Sequence, residues 1–153
     1  LEVATRCGRW QAGSRGLRVA AFADARAESV LESISRVGFL AAGLPAPEPQ
    51  VEIWVGRRFV ARVDFLWEDA NTIGEADGRM KYPTVDEVLA EKRRELDLRD
   101  LGFEVVRWDW DDAFTGSTAL AERVRRGLVR GARLAVDPSV RLVHTSAPRG
   151  LVA

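Results

Sequence analysis

Asp64, Glu75, Asp77 and Lys81 fall within one short stretch, ARVDFLWEDANTIGEADGRMKY (61–82), where apolar runs are interrupted by acids. Val63, Phe65 and Leu66 read as strand core, which puts Asp64 where a carboxylate is costly unless paired or neutralised. Residues i and i+2 of a strand share a face, so Glu75 and Asp77 point the same way. Pairing of 59–67 with 71–77 through the turn WEDAN brings Asp64 beside them. Converging carboxylates repel one another, and a divalent cation relieves that repulsion. Magnesium takes one or two protein carboxylates and keeps its other positions for water and phosphate. Such an ion activates water and stabilises charge developing on a phosphoryl group. A nearby lysine such as Lys81 lowers a nucleophile's pKa or holds a phosphate. The same spacing equally suits three outward-facing acids on an edge hairpin, with no site at all.

Composition narrows the chemistry. The single Cys7 and single His144 argue against a zinc site and against an internal disulfide, and the cysteine usage fits a reducing cytosol. A bound metal must therefore use carboxylates, which means magnesium, manganese or calcium. No apolar run approaches a membrane span, and LEVATRCGRW has no signal-peptide core. The chain starts at Leu, as expected of a piece of a longer protein with partner domains outside it, an N-terminal DNA-binding domain among them.

A net charge of zero conceals an uneven distribution. Residues 1–62 carry nine basic and six acidic side chains, a balance of +3. Residues 63–112 carry seven and fifteen, a balance of −8, and residues 113–153 carry seven and two, a balance of +5. An acidic centre with basic flanks suits a metal site that meets a polyanion, and it also suits an ordinary solvated surface.

The elements that must position these residues follow from local pattern. A short helix is expected over 14–23, within an N-terminal extension covering 1–25. Ser29-Val-Leu-Glu32 reads as a capping box that opens a helix through SISRVGFLAAGL, with Gly43 as its C-cap. Pro45, Pro47 and Pro49 form an extended connector. VEIWV (51–55) and FVARVDFLW (59–67) are strands, followed by a third strand near TIGEA. Thr84-Val-Asp-Glu87 opens a long charged helix that ends at Gly102, FEVVRW (103–108) is a fourth strand, and a last helix covers about 117–133. The order α-β-β-β-α-β-α describes an α/β (α+β) domain, a mixed sheet flanked by helices over 26–135, with 136–153 as a C-terminal tail. Arg123, Arg126, Arg130 and Arg133 line one face of the last helix, where a solvated face outweighs a phosphate track.

The ordered blocks AESVLESISRVGFLAAGLPAPEPQVEI, RVDFLW, IGEADGRMKY and EKRRELDLRDLGFEVVRWDW resemble the very-short-patch-repair-like endonuclease domains of the PD-(D/E)XK nuclease superfamily, as found in uncharacterised actinobacterial proteins. The resemblance covers about residues 26 to 112 and implies a restriction-endonuclease-like fold. It also implies a Mg²⁺- or Mn²⁺-dependent endonuclease that hydrolyses DNA phosphodiesters in repair, restriction or defence.

By position, the metal-binding aspartate matches Asp64, the second acid matches Glu75, and the helix glutamate that completes the site matches Glu32, which is also the N3 residue of its capping box. Gln50 matches a glutamine just before the first strand. The lysine expected two residues after Glu75 is Asp77 here, so Lys81 is the nearest replacement and Lys92 the next. Asp64, Glu75 and Asp77 are the candidate metal ligands, with Glu32 and Lys81 completing the catalytic set, and Arg36, Lys92 and Arg107 are the candidate DNA contacts. The missing lysine keeps a second reading open, a nuclease fold without catalysis that binds DNA or protein in a toxin–antitoxin or regulatory protein.

Overall fold

Ser29 begins the first described helix of the computed structural model, which describes residues 24–78 and 84–146. Its hydroxyl accepts a hydrogen bond from the Glu32 amide at 3.1 Å and caps α1 (Val30–Ala41). Only half of the expected capping box forms, because the Glu32 carboxylate turns away from Ser29. The helix closes with the Leu44 amide donating to the Phe39 carbonyl at 2.9 Å, and Gly43 takes the left-handed conformation expected of a C-cap glycine.

The chain then builds an antiparallel hairpin from β1 (Glu48–Val55) and β2 (Arg58–Trp67). β1 starts at Glu48, so Pro49 and Gln50 lie within the strand and not in the connector before 51. A short 3-10 turn (Glu68–Ala70) leads through left-handed Asn71 into β3 (Thr72–Ala76), antiparallel to β2. Thr84 and Glu87 form a complete capping box for α2 (Val85–Asp100), which crosses over to β4 (Glu104–Trp108), parallel to β3. α3 (Trp110–Phe114), α4 (Ser117–Gly131) and β5 (Val140–His144) follow. The result is a five-stranded mixed sheet of order β4-β3-β2-β1-β5, flanked by helices.

Two elements depart from the expected order. Residues 140–144 are not tail: they form an edge strand antiparallel to β1, with Ile53 opposite Leu142. α3 was absent from the expected order, although Asp109 and Asp112 form a complete capping box at its start. The expected helix over 14–23, Cys7 and Lys81 lie outside the described residues.

The sheet buries two apolar clusters. One joins Leu31, Phe39, Phe65, Trp108, Leu120 and Val124, and it packs sheet residues against α1 and α4. The other joins Val51, Ile53, Val63, Ile73, Leu98 and Val105, with Leu98 contributed by α2. Trp108 stacks on Phe65 at 5.5 Å, meets the edge of Phe39 at 5.3 Å and donates from Nε1 to Ser35 Oγ at 2.7 Å. Gly74 makes room for that ring, since a Cβ there would lie 2.7 Å from it. The bulk of Trp108 thus fixes the backbone next to Glu75.

α4 ends at Gly131 against the turn before β3, where an added Cβ would lie 2.2 Å from both the Ala70 carbonyl oxygen and Thr72 Oγ1. Gly131→Ala is therefore expected to destabilise the domain by about 2–3 kcal/mol, the scale of an overpacked contact that cannot relax. Urea unfolding measures this, and unchanged stability would mean that the end of α4 shifts freely.

Candidate metal and catalytic site

Strand register brings the acids together. Phe65 stands opposite Gly74, so Asp64 and Glu75 are the next residues across the β2–β3 ladder. The Ala76 amide donates to Asp64 Oδ2 at 2.8 Å and fixes that carboxylate at the end of the pairing. In the parallel β3–β4 pair, Glu75 is in register with Arg107. Asp64, Glu75, Asp77 and Arg107 all line an open cavity of about 890 Å³, whose other wall is α2.

Glu75 is 5% exposed, and its Oε1 is buried with no hydrogen-bond partner. Arg94 on α2 comes within 3.8 Å of that oxygen without closing a hydrogen bond. Burial, and then the neighbouring Asp64 charge, push the Glu75 carboxyl up to about 8. Burial also raises Asp64, opposed by the Ala76 amide and the Gln50 side chain.

A raised carboxyl favours the fold while it is protonated and costs stability once the unfolded chain ionises and the folded one does not. That stability is full below the ordinary glutamate pKa of 4.5 and is lost as pH rises through about 8. The metal-free domain is therefore expected to lose on the order of 1 kcal/mol per pH unit across that window. Glu75→Gln should flatten the profile, as read by thermal unfolding at successive pH values, and an unaltered slope in the variant would assign the effect to another group.

Glu32 reaches the site at one remove. Its Oε2 accepts from the Glu28 amide at 2.9 Å and from Gln50 Nε2 at 3.1 Å, and Gln50 Nε2 also lies 3.4 Å from Asp64 Oδ1. Asp77 is engaged otherwise: Arg107 donates to both of its oxygens, through Nε to Oδ2 at 2.9 Å and through Nη2 to Oδ1. Arg107 Nη1 also pairs with Glu91, which accepts in turn from Arg94 at 2.7 Å. The expected third ligand thus faces the cavity as the partner of an arginine. Among the described residues no three His, Cys, Asp or Glu side chains converge as a metal cage.

The candidate basic residues separate. Arg107 and Lys92 line the cavity, whereas Arg36 pairs with Asp24 at 3.7 Å and lines a different, small pocket beside α1. Arg123 pairs with Asp112 and Arg130 with Glu104, which agrees with an ordinary helix surface. Sequence reasoning missed Arg94 and Glu91. The charges of EKRREL suit pairing along the helix itself, and the spacing Glu87, Glu91, Arg94 gives one face only once the facing strands are known.

The donor set fits a hard divalent cation. Two adjacent carboxylates, one with a buried oxygen that receives no hydrogen bond, are what magnesium or manganese takes from protein.

Over 129 residues, 82% of its length, the chain is 37% identical to two proteins of Mycobacterium tuberculosis, the uncharacterized protein MT2308 (strain CDC 1551 / Oshkosh) and the uncharacterized protein Rv2248 (strain ATCC 25618 / H37Rv). The chain spans about half the length of these curated relatives, 47% of each. No family model matches the chain. No solved structure matches it. Among the described residues no helix is long and apolar enough to cross a membrane.

Proposed function

We propose that the chain is a metal-dependent nuclease domain of the very-short-patch-repair-like, restriction-endonuclease-like type, hydrolysing DNA phosphodiesters in the cytoplasm. The observation that carries this reading is the adjacency of Asp64 and Glu75 in an open cavity, with Glu75 Oε1 buried and without a hydrogen bond. Asp64 and Glu75 would hold Mg²⁺ or Mn²⁺, which when bound supplies Lewis-acid stabilisation to a phosphoryl group. Arg62, Lys92 and Arg94 line the same cavity and offer positive charge to a phosphate backbone. Lys81 is the proposed group that orients the attacking water.

Incubating supercoiled plasmid with the chain in Mg²⁺, Mn²⁺ or EDTA tests the proposal, and nicking that depends on the metal is the expected result. A specific observation favours the second reading, a binding module without catalysis. Arg107 ties up Asp77, and Arg94 lies beside Glu75, so the acids have built-in countercharges. An intact plasmid, together with no heat on calorimetric titration of Mn²⁺, would select that reading.

A further inference from the structure

We propose that Gln50 is a positioning residue that holds Asp64 through a hydrogen-bond relay anchored on Glu32, an inference that rests on the metal-dependent reading above. Gln50 sits within β1 with φ of +54°, a left-handed conformation that a side chain other than glycine rarely adopts. The hairpin register runs from Pro49 opposite Phe65 to Val51 opposite Val63, and it skips the pair that would join Gln50 to Asp64. The ladder omits a pair at Gln50, whose side chain lies between two acids. Thr145 Oγ1 donates to the Gln50 carbonyl at 2.6 Å, satisfying a group that leaves the ladder. Strain of this kind persists only where surrounding contacts impose it, and it concentrates at functional sites.

Gln50 is 3% exposed, so its side-chain amide must find partners inside the protein. Glu32 and Asp64 are both acceptors, which fixes the amide with Nε2 between them. Glu32 is itself 4% exposed and is held by the Glu28 amide, so the far end of the relay is anchored. Asp64 is then gripped at both oxygens, Oδ1 by Gln50 and Oδ2 by the Ala76 amide. A carboxylate oxygen keeps a further lone pair after one such bond, available to a cation on the cavity side. Glu32 thus acts on Asp64 through Gln50 and is not itself a ligand. Outer partners of this kind fix the orientation of a metal-binding group.

Gln50→Met tests the relay, because methionine keeps the length and bulk of glutamine and removes the donor. Manganese binding by calorimetry is the first readout, and the electron paramagnetic resonance spectrum of bound Mn²⁺ is the second. The variant is expected to bind Mn²⁺ about 10- to 100-fold more weakly, with an altered spectrum at saturating metal and cooperative unfolding retained. Gln50→Gly relieves the backbone strain and serves under the same criteria if the methionine variant does not fold. A folded variant with affinity within about threefold of wild type and the same spectrum overturns the relay and leaves the metal reading intact. Failure of both variants to fold assigns Gln50 to the fold and overturns the positioning role. A wild type that binds no Mn²⁺ overturns the metal reading, and the relay with it.

Discussion

Asp64→Asn is expected to lower metal-dependent plasmid cleavage by about 10³-fold, the scale of losing one charge-stabilising group, while leaving the metal-free domain at least as stable as wild type. The two halves of this expectation share one cause. Asp64 stands beside Glu75, and its charge is the second contributor, after burial, to the raised Glu75 carboxyl. Asparagine keeps an acceptor for the Ala76 amide and removes that repulsion. It loses the acceptor facing Gln50, whose bond to Asp64 is the longer of the two at 3.4 Å. Relief and loss therefore nearly cancel without metal. With Mg²⁺ or Mn²⁺ present only the wild type has a second carboxylate for the ion, so its melting temperature alone should rise. A loss of several kcal/mol in the metal-free variant would instead make Asp64 a structural hydrogen-bonding residue, since a buried donor left unmet costs about 1–3 kcal/mol.

Asp64 and Glu75 were legible because an antiparallel pair joined by a short turn is a local event. The WEDAN turn sets the β2–β3 register, and the alternation of side chains does the rest. The caps of α1 and α2 were legible for the same reason, although Glu32 turns its carboxylate from Ser29 to Glu28 and Gln50. The fate of Asp77 was not legible. Its partner Arg107 arrives on a parallel strand after a whole crossover helix, so their pairing does not follow from local alternation. β5 was hidden similarly. Val140 and Leu142 pack against the second cluster, too brief a signal to distinguish a strand from a tail until β1 supplies an edge. The early start of β1 was masked by Pro49, which usually marks the end of regular pairing, and by the left-handed backbone at Gln50.

The division of labour among the cations carries the second large effect. Arg94 lies 3.8 Å from Glu75 and is tied to Glu91, while Arg107 is tied to Asp77 and Glu91, so both arginines serve the acids first. Lys92 lines the same cavity from α2 and suits a phosphate outside the reacting centre. Lys81 follows Gly78 by three residues and lies close in sequence to Glu75. Phosphodiester hydrolysis needs charge stabilisation and a proton donor for the leaving group beyond what two carboxylates supply. Lys81→Ala is therefore expected to lower cleavage about 10²-fold with Mn²⁺ affinity retained, the scale of a general acid–base group. Lys92→Ala should weaken DNA binding and flatten its dependence on salt by about one unit of slope, with little change in turnover at saturating DNA. Single-turnover rates and binding isotherms on the two variants separate these effects. The reverse pattern would transfer the catalytic role to Lys92, and full activity in both would leave the chemistry to Arg94 and Arg107, the two cations already fixed at the acids.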